Sequence, residues 1–134
     1  MNFSEIRLQL RDNLLKVSDN VMETFVHPEA MSEINADFPY ITMVFGQGDI
    51  SGRRVTQQLS IIGFVKGDID TIPDQIIKLK NDIYNSLYNK EPKVIIETQD
   101  LTNLFQPFGL DAGIAPPYGG VRFECMIPNI IYPE

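Results

Sequence analysis

Few side chains in this sequence are of the types and spacing that chemistry requires. His27 is the only histidine and precedes Pro28 in a polar stretch, with no cysteine or second histidine near it. It reads as a surface histidine, not as a general base or metal ligand. Any serine nucleophile would have to use His27, and no serine sits in the strand-turn-helix elbow that presents one. Asp68, Asp70 and Asp74 cluster ahead of a helical stretch, but the glycine and closing glutamate of a calcium loop are missing. Helix capping is the better use of Asp74. Gly46-Gln47-Gly48 with Gly52 has the composition of a phosphate-binding turn. The next element reads as a strand, so no helix N-terminus would face a ligand, and a hairpin turn is the sounder reading. Arg53-Arg54 are the only adjacent basic residues. With Lys66 they are either solvated charges on a strand edge or contacts to an acidic partner. Cys125 alternates with Phe123 and Ile127 and behaves as a small buried apolar residue. No catalytic set, metal set or cofactor site emerges, and the chain is expected not to be an enzyme.

The elements that would position these residues follow from periodicity. From Ser4 as N-cap, Ile6, Leu10, Leu14, Val17 and Val21 recur at helical steps. Leu8 and Leu15 broaden that apolar face. Val26 to Asp37 has no clear period and reads as a loop with a short helical turn. Phe38 to Phe45 is rich in aromatic and β-branched residues and reads as a strand, its start near Pro39 on an edge. A loop from Gly46 to Gly52 joins it to a long strand from Arg53 to Lys66, whose Val55, Leu59, Ile61 and Val65 share one face. Together they predict a long antiparallel hairpin that projects beyond the core.

Thr71-Ile72-Pro73-Asp74 matches a capping box, and Ile72, Ile76, Leu79, Ile83 and Leu87 follow at helical spacing, with a stop near Asn89 before Pro92. Lys93 to Thr98 is a strand. Another lies within Gly119 to Ile131, where Val121, Phe123, Cys125 and Ile127 share a face. Between them the stretch from Leu104 to Gly120 carries Phe105, Phe108 and Tyr118 among prolines and glycines. Those rings either dock against a partner or cover the chain's own sheet. The expected architecture is one α+β domain over 1–134. Its four-stranded, mainly antiparallel sheet carries helices on one face, in the order α-β-β-α-β-β.

Length and charge narrow the function. A chain of 134 residues with 43% hydrophobic residues can bury one core without disulfides or metal. One cysteine excludes a disulfide scaffold and a four-thiolate zinc site. No apolar run approaches the roughly 20 residues of a membrane helix, and Met1 to Leu10 lacks a signal-peptide pattern, so a soluble, unexported protein with no membrane partner is expected. Eighteen acidic against eleven basic residues give a formal charge of -7, which disfavours phosphate binding. The charge is -4 over residues 1–37, zero over 38–92 and -3 over 93–134.

The strand PYITMVF, the strand RRVTQQLSIIGFVKG, the helix DTIPDQIIKLKNDIYNSLYN, the strand VIIETQD and the ending PPYGGVRFECMIPNIIY follow an acidic N-terminal helix. In this order the chain resembles the tail terminator, or tail completion, proteins of tailed bacteriophages, a group that includes the minor tail protein U family and neck terminator proteins. The likeness runs from about Phe38 to Tyr132 with the preceding helix. It rests on element order and on the phrases around Gly63, Asp82 to Leu87 and Tyr118 to Arg122.

The resemblance implies a structural virion protein of the tail or neck, assembled in the host cytoplasm. It would form a homo-oligomeric ring, usually a hexamer, that sits on the tail tube protein, ends tube polymerisation and presents a surface to the head-tail connector. Genomic DNA would pass through the lumen without sequence-specific binding, which suits an acidic surface. Phe105, Phe108 and Tyr118 would anchor contacts, and Arg53, Arg54 and Arg122 would supply charge complementarity to acidic neighbours. A neck adaptor or tail tube subunit is the alternative among structural proteins. A ferredoxin-like domain binding a small ligand or RNA is the alternative from another class.

Overall fold

A computed structural model describes residues 1–102 and 117–132. The first helix, α1 (Phe3–Leu15), buries Ile6, Leu10 and Leu14 as the spacing predicts. Its N-cap is Asn2, not Ser4: the Asn2 Oδ1 accepts from the Glu5 N–H at 2.9 Å. The helix also stops before Val17 and Val21. Ser18 Oγ accepts from the Asn20 N–H at 3.1 Å and donates to the Pro39 carbonyl at 2.6 Å. That local turn gives the backbone an alternative to another helical turn. Val21 therefore falls in a two-residue strand, β1 (Val21–Met22), and α2 (Pro28–Glu33) follows with His27 as its N-cap.

The hairpin is longer than predicted. β2 (Tyr40–Ser51) and β3 (Arg54–Lys66) pair antiparallel from Tyr40↔Phe64 to Ser51↔Arg54. The expected loop from Gly46 to Gly52 is mostly strand, with a bulge between Phe45 and Gly48 and a turn of only Gly52 and Arg53. Gly52 has φ +64, and it stands first of the two central residues, where a type II′ turn needs glycine.

The helix α3 (Ile72–Leu87) buries all five residues of the predicted stripe, and Asn89 at φ 52 takes the left-handed position after it. The capping box does not form. Thr71 Oγ1 instead donates to the Asp68 carbonyl at 2.8 Å and accepts from Gln75 Nε2 at 2.9 Å. β4 (Ile95–Thr102) and β5 (Tyr118–Ile131) complete the chain of elements.

The sheet is five-stranded and mixed, in the order β1-β2-β3-β5-β4. β1 runs parallel to β2, and every other pairing is antiparallel. The expected four strands are therefore β2 to β5, and the order gains β1 and α2. Since β3 and β4 both run antiparallel to β5, they are parallel to each other, and β3-α3-β4 is a split β-α-β unit with β5 in the gap.

α1 and α3 cover one face over Ile41, Met43, Leu59, Ile61, Val121, Phe123 and Cys125. α3 lies close because glycines floor the sheet beneath it. A Cβ on Gly63 would come within 2.8 Å of Leu79 Cδ2, and one on Gly119 within 2.6 Å of Ile76 Cδ1. Helices do not keep to one face, however. The alternation that puts Ile61 under α3 sends Tyr40, Ile62 and Phe64 to the opposite face, where Met31 of α2 and the flanking Phe38 and Tyr118 bury them.

Candidate functional site

The predicted site residues fall in three places. Arg53 and Arg54 are exposed together at the hairpin tip. Arg122 sits mid-sheet on β5, opposite Ile62 on one side and Asp100 on the other. Since Arg54 pairs with Ile131, that is about 30 Å along the strand from the tip. Arg122 Nε lies 3.4 Å from Glu124 Oε1, and the Ser60 hydroxyl lies 2.8 and 3.0 Å from the two Glu124 oxygens. Tyr118 closes the other end of the sheet. Its hydroxyl is 2.9 Å from Ser32 Oγ, its ring stacks on Phe38 at 6.0 Å, and Lys66 Nζ stands 5.9 Å above it. Tyr118 thus covers the chain's own sheet. Phe105 and Phe108 lie outside the described residues.

The tip is held out firmly. Residues 46–54 are exposed on both faces of the sheet. Gln57 Nε2 donates to the Gly46 carbonyl at 2.6 Å and to the Gln58 carbonyl at 3.0 Å, fastening the bulge. The Tyr132 N–H donates to the Arg53 carbonyl at 2.9 Å, and the Ile131 N–H to the Met1 carbonyl at 3.1 Å. Ile50, 58% exposed, is the large apolar residue this tongue offers.

A second surface went unread in the sequence. Beside β4, a groove of ≈ 630 Å³ runs between that strand and the end of α3, lined by Tyr84, Tyr88, Val94 and Ile96 among others. Tyr84 and Tyr88 stack at 5.7 Å and 17°, and Tyr88 is 59% exposed. The signal for it was Tyr84 and Tyr88, an aromatic pair at helical spacing at the end of α3, separate from its buried stripe.

His27 Nδ1 accepts from the Glu29 N–H at 3.2 Å as a helix cap. Among the described residues, no group of three or more His, Cys, Asp or Glu could hold a metal, and no helix is long and apolar enough to cross a membrane. Cys125 is buried. Burial, helped by the Glu124 and Glu97 carboxylates, pushes its thiol up to about 12, so the reactive thiolate is absent at neutral pH. Burial, with Tyr118 beside it, likewise pushes up Tyr40, whose hydroxyl donates to the Val26 carbonyl at 2.6 Å. Phe64 is fully buried, which removes the only strand aromatic of β3 as a platform for stacking a base. No family model matches the chain, and comparison with curated proteins gives no match.

Proposed function

We propose that this chain is a ring-forming subunit of a bacteriophage tail, a terminator that seats on the last ring of the tail tube, stops its growth and offers the head-tail connector a surface. The work is mechanical. Subunits associate through sheet edges and helix flanks, and the ring, six copies by the family likeness, lets DNA pass through an acidic lumen. The observation that carries the reading is the tongue at residues 46–54, exposed on both faces yet pinned by hydrogen bonds to its Gly46 and Arg53 carbonyls. A monomer gains nothing from a rigid, solvated extension that adds little to its core, whereas an assembling subunit needs a preorganised one. The resemblance in element order supports the same reading.

Light scattering over a concentration series, with negative-stain images, tests it. Closed rings of one size, and tubes whose lengthening stops when the protein is added, are the expected results. Long tubes of the protein alone would make it a tube subunit. A monomer at every concentration that leaves tube growth unchanged would overturn the reading.

A further inference from the structure

We infer that neighbouring copies join by pairing the outer edge of β2 with the outer edge of β4 on the next copy, so that one sheet continues from subunit to subunit. The inference rests on the ring proposed above and names the surfaces that close it.

Both edges are open among the described residues. β1 pairs with β2 only at Ile41 and Thr42, and β4 pairs only with β5. The Ile41 N–H donates outward to the Asn20 carbonyl at 2.9 Å, so Met43 and Phe45, two and four residues on, face outward too. At the far end the two-residue turn makes Ser51 and Arg54 the inward, hydrogen-bonded pair, which turns Ile50 and Gly48 outward. Met43 is fully buried, so β2 presents outward backbone donors and acceptors to solvent from Phe45 to Ile50. Proteins usually blunt such an edge with lysine or proline. Neither β2 beyond Thr42 nor β4 contains either, and the single bulge in each bends the edge without ending it.

Direction and length agree. β2 and β5 run one way and β3 and β4 the other, so copies related by rotation about an axis along the strands set β4 antiparallel to the next β2. Residues 45–50 can meet six of the 8 residues of β4. An antiparallel overlap that starts at the beginning of β4 puts Ile50 at its Ile95 and Ile96 end. Ile50 stands beside Val55, which stands beside Ile130, and both pack against the helix-side core. Ile50 therefore projects on the face where Tyr84, Tyr88 and Ile96 line the groove. The groove is where an incoming Ile50 would be buried. Pairing β4 with itself is disfavoured, since antiparallel overlap sets Glu97 of each strand opposite Asp100 of the other. The joint is heterologous, the kind that closes into rings.

Thiol cross-linking of the full chain tests this. Ile50→Cys and Tyr88→Cys, both at exposed positions, are prepared as separate chains, mixed and treated with a short bis-maleimide; buried Cys125 is the wild-type control. A cross-linked dimer from the mixture, and from neither chain alone, is expected. Ile50→Asp should raise the concentration for half-assembly about tenfold or more without lowering the melting temperature. Self-cross-linking of the Ile50→Cys chain would show a β2-to-β2 dimer and overturn the proposal. Rings that form without the mixed cross-link would overturn the edge pairing and leave the ring standing. Failure of every chain to assemble, with tube growth left unchanged, would overturn both.

Discussion

At the scale of single residues, two glycines separate close packing from backbone conformation. A Cβ on Gly119 meets Ile76 at 2.6 Å and Ile72 at 2.7 Å, so Gly119→Ala should cost about 1–3 kcal/mol by overpacking α3 against β5. At Gly52 a Cβ meets nothing within 4 Å, but φ is +64, and Gly52→Ala should cost about 1–2 kcal/mol through the left-handed backbone alone. Urea unfolding measures both. Combining Gly119→Ala with Ile76→Val should recover part of the first loss, and nothing done to α3 should recover the second. Cys125 sets a pH dependence. Its thiol ionises near 9 in the unfolded chain and near 12 in the fold, so the folded state keeps a proton that the unfolded state releases between those values. Its contribution to stability is whole below pH 9 and lost as pH rises towards 12, with Tyr40 adding to the loss above pH 10. The urea midpoint should fall across this range, and less in Cys125→Ala. These core residues were legible, because Val121, Phe123, Cys125 and Ile127 alternate without interruption. Tyr118 was not, because its partners Ser32 and Phe38 lie far away in sequence and its own neighbours are glycines and prolines.

At the scale of elements, legibility followed length. The sixteen residues of α3 repeat their apolar step often enough to fix both the helix and its buried face. Two residues of β1 and six of α2 cannot show a period, and both were absorbed into a longer helix or a loop. Gly46 to Gly52 failed for another reason. Its glycines and polar residues have the composition of a turn, yet β3 continues opposite them and supplies the ladder that their own propensity does not. The hairpin end should consequently depend on its fastenings more than on its residues. Gln57→Ala removes the side-chain bond across the bulge to the Gly46 carbonyl, and native-state hydrogen exchange should then quicken at the tip while the β3-β5 amides stay protected.

For the whole molecule, charge would decide how the proposed assembly responds to salt. Each copy carries -7 and would bring its neighbours' acids close on association. In the proposed ring, Arg53 and Arg54 at the tip are the cations that would meet them. Arg53→Ala with Arg54→Ala should raise the concentration for half-assembly at low ionic strength, and the gap from wild type should close as salt shortens the screening length to a few Å, about 3 Å at 1 M. Scattering at two ionic strengths gives the comparison. The open sheet edges that would carry such an assembly were hidden in the sequence. Periodicity reports which face of a strand is buried but not which strand stands at the rim.

The gap between β3 and β4 is filled by a strand that the ribosome makes after both. When α3 has been synthesised and β4 follows it out, the two parallel strands stand a strand's width apart, and neither can bond to the other. α3 then has half a floor beneath it, because Gly119 and Val121 have not arrived. β5 fills the slot, bringing Phe123 and Cys125 under the helices and satisfying two strand edges at once. A chain that ended before Tyr118 would leave the facing edges of β3 and β4 unpaired, the kind of edge that invites aggregation.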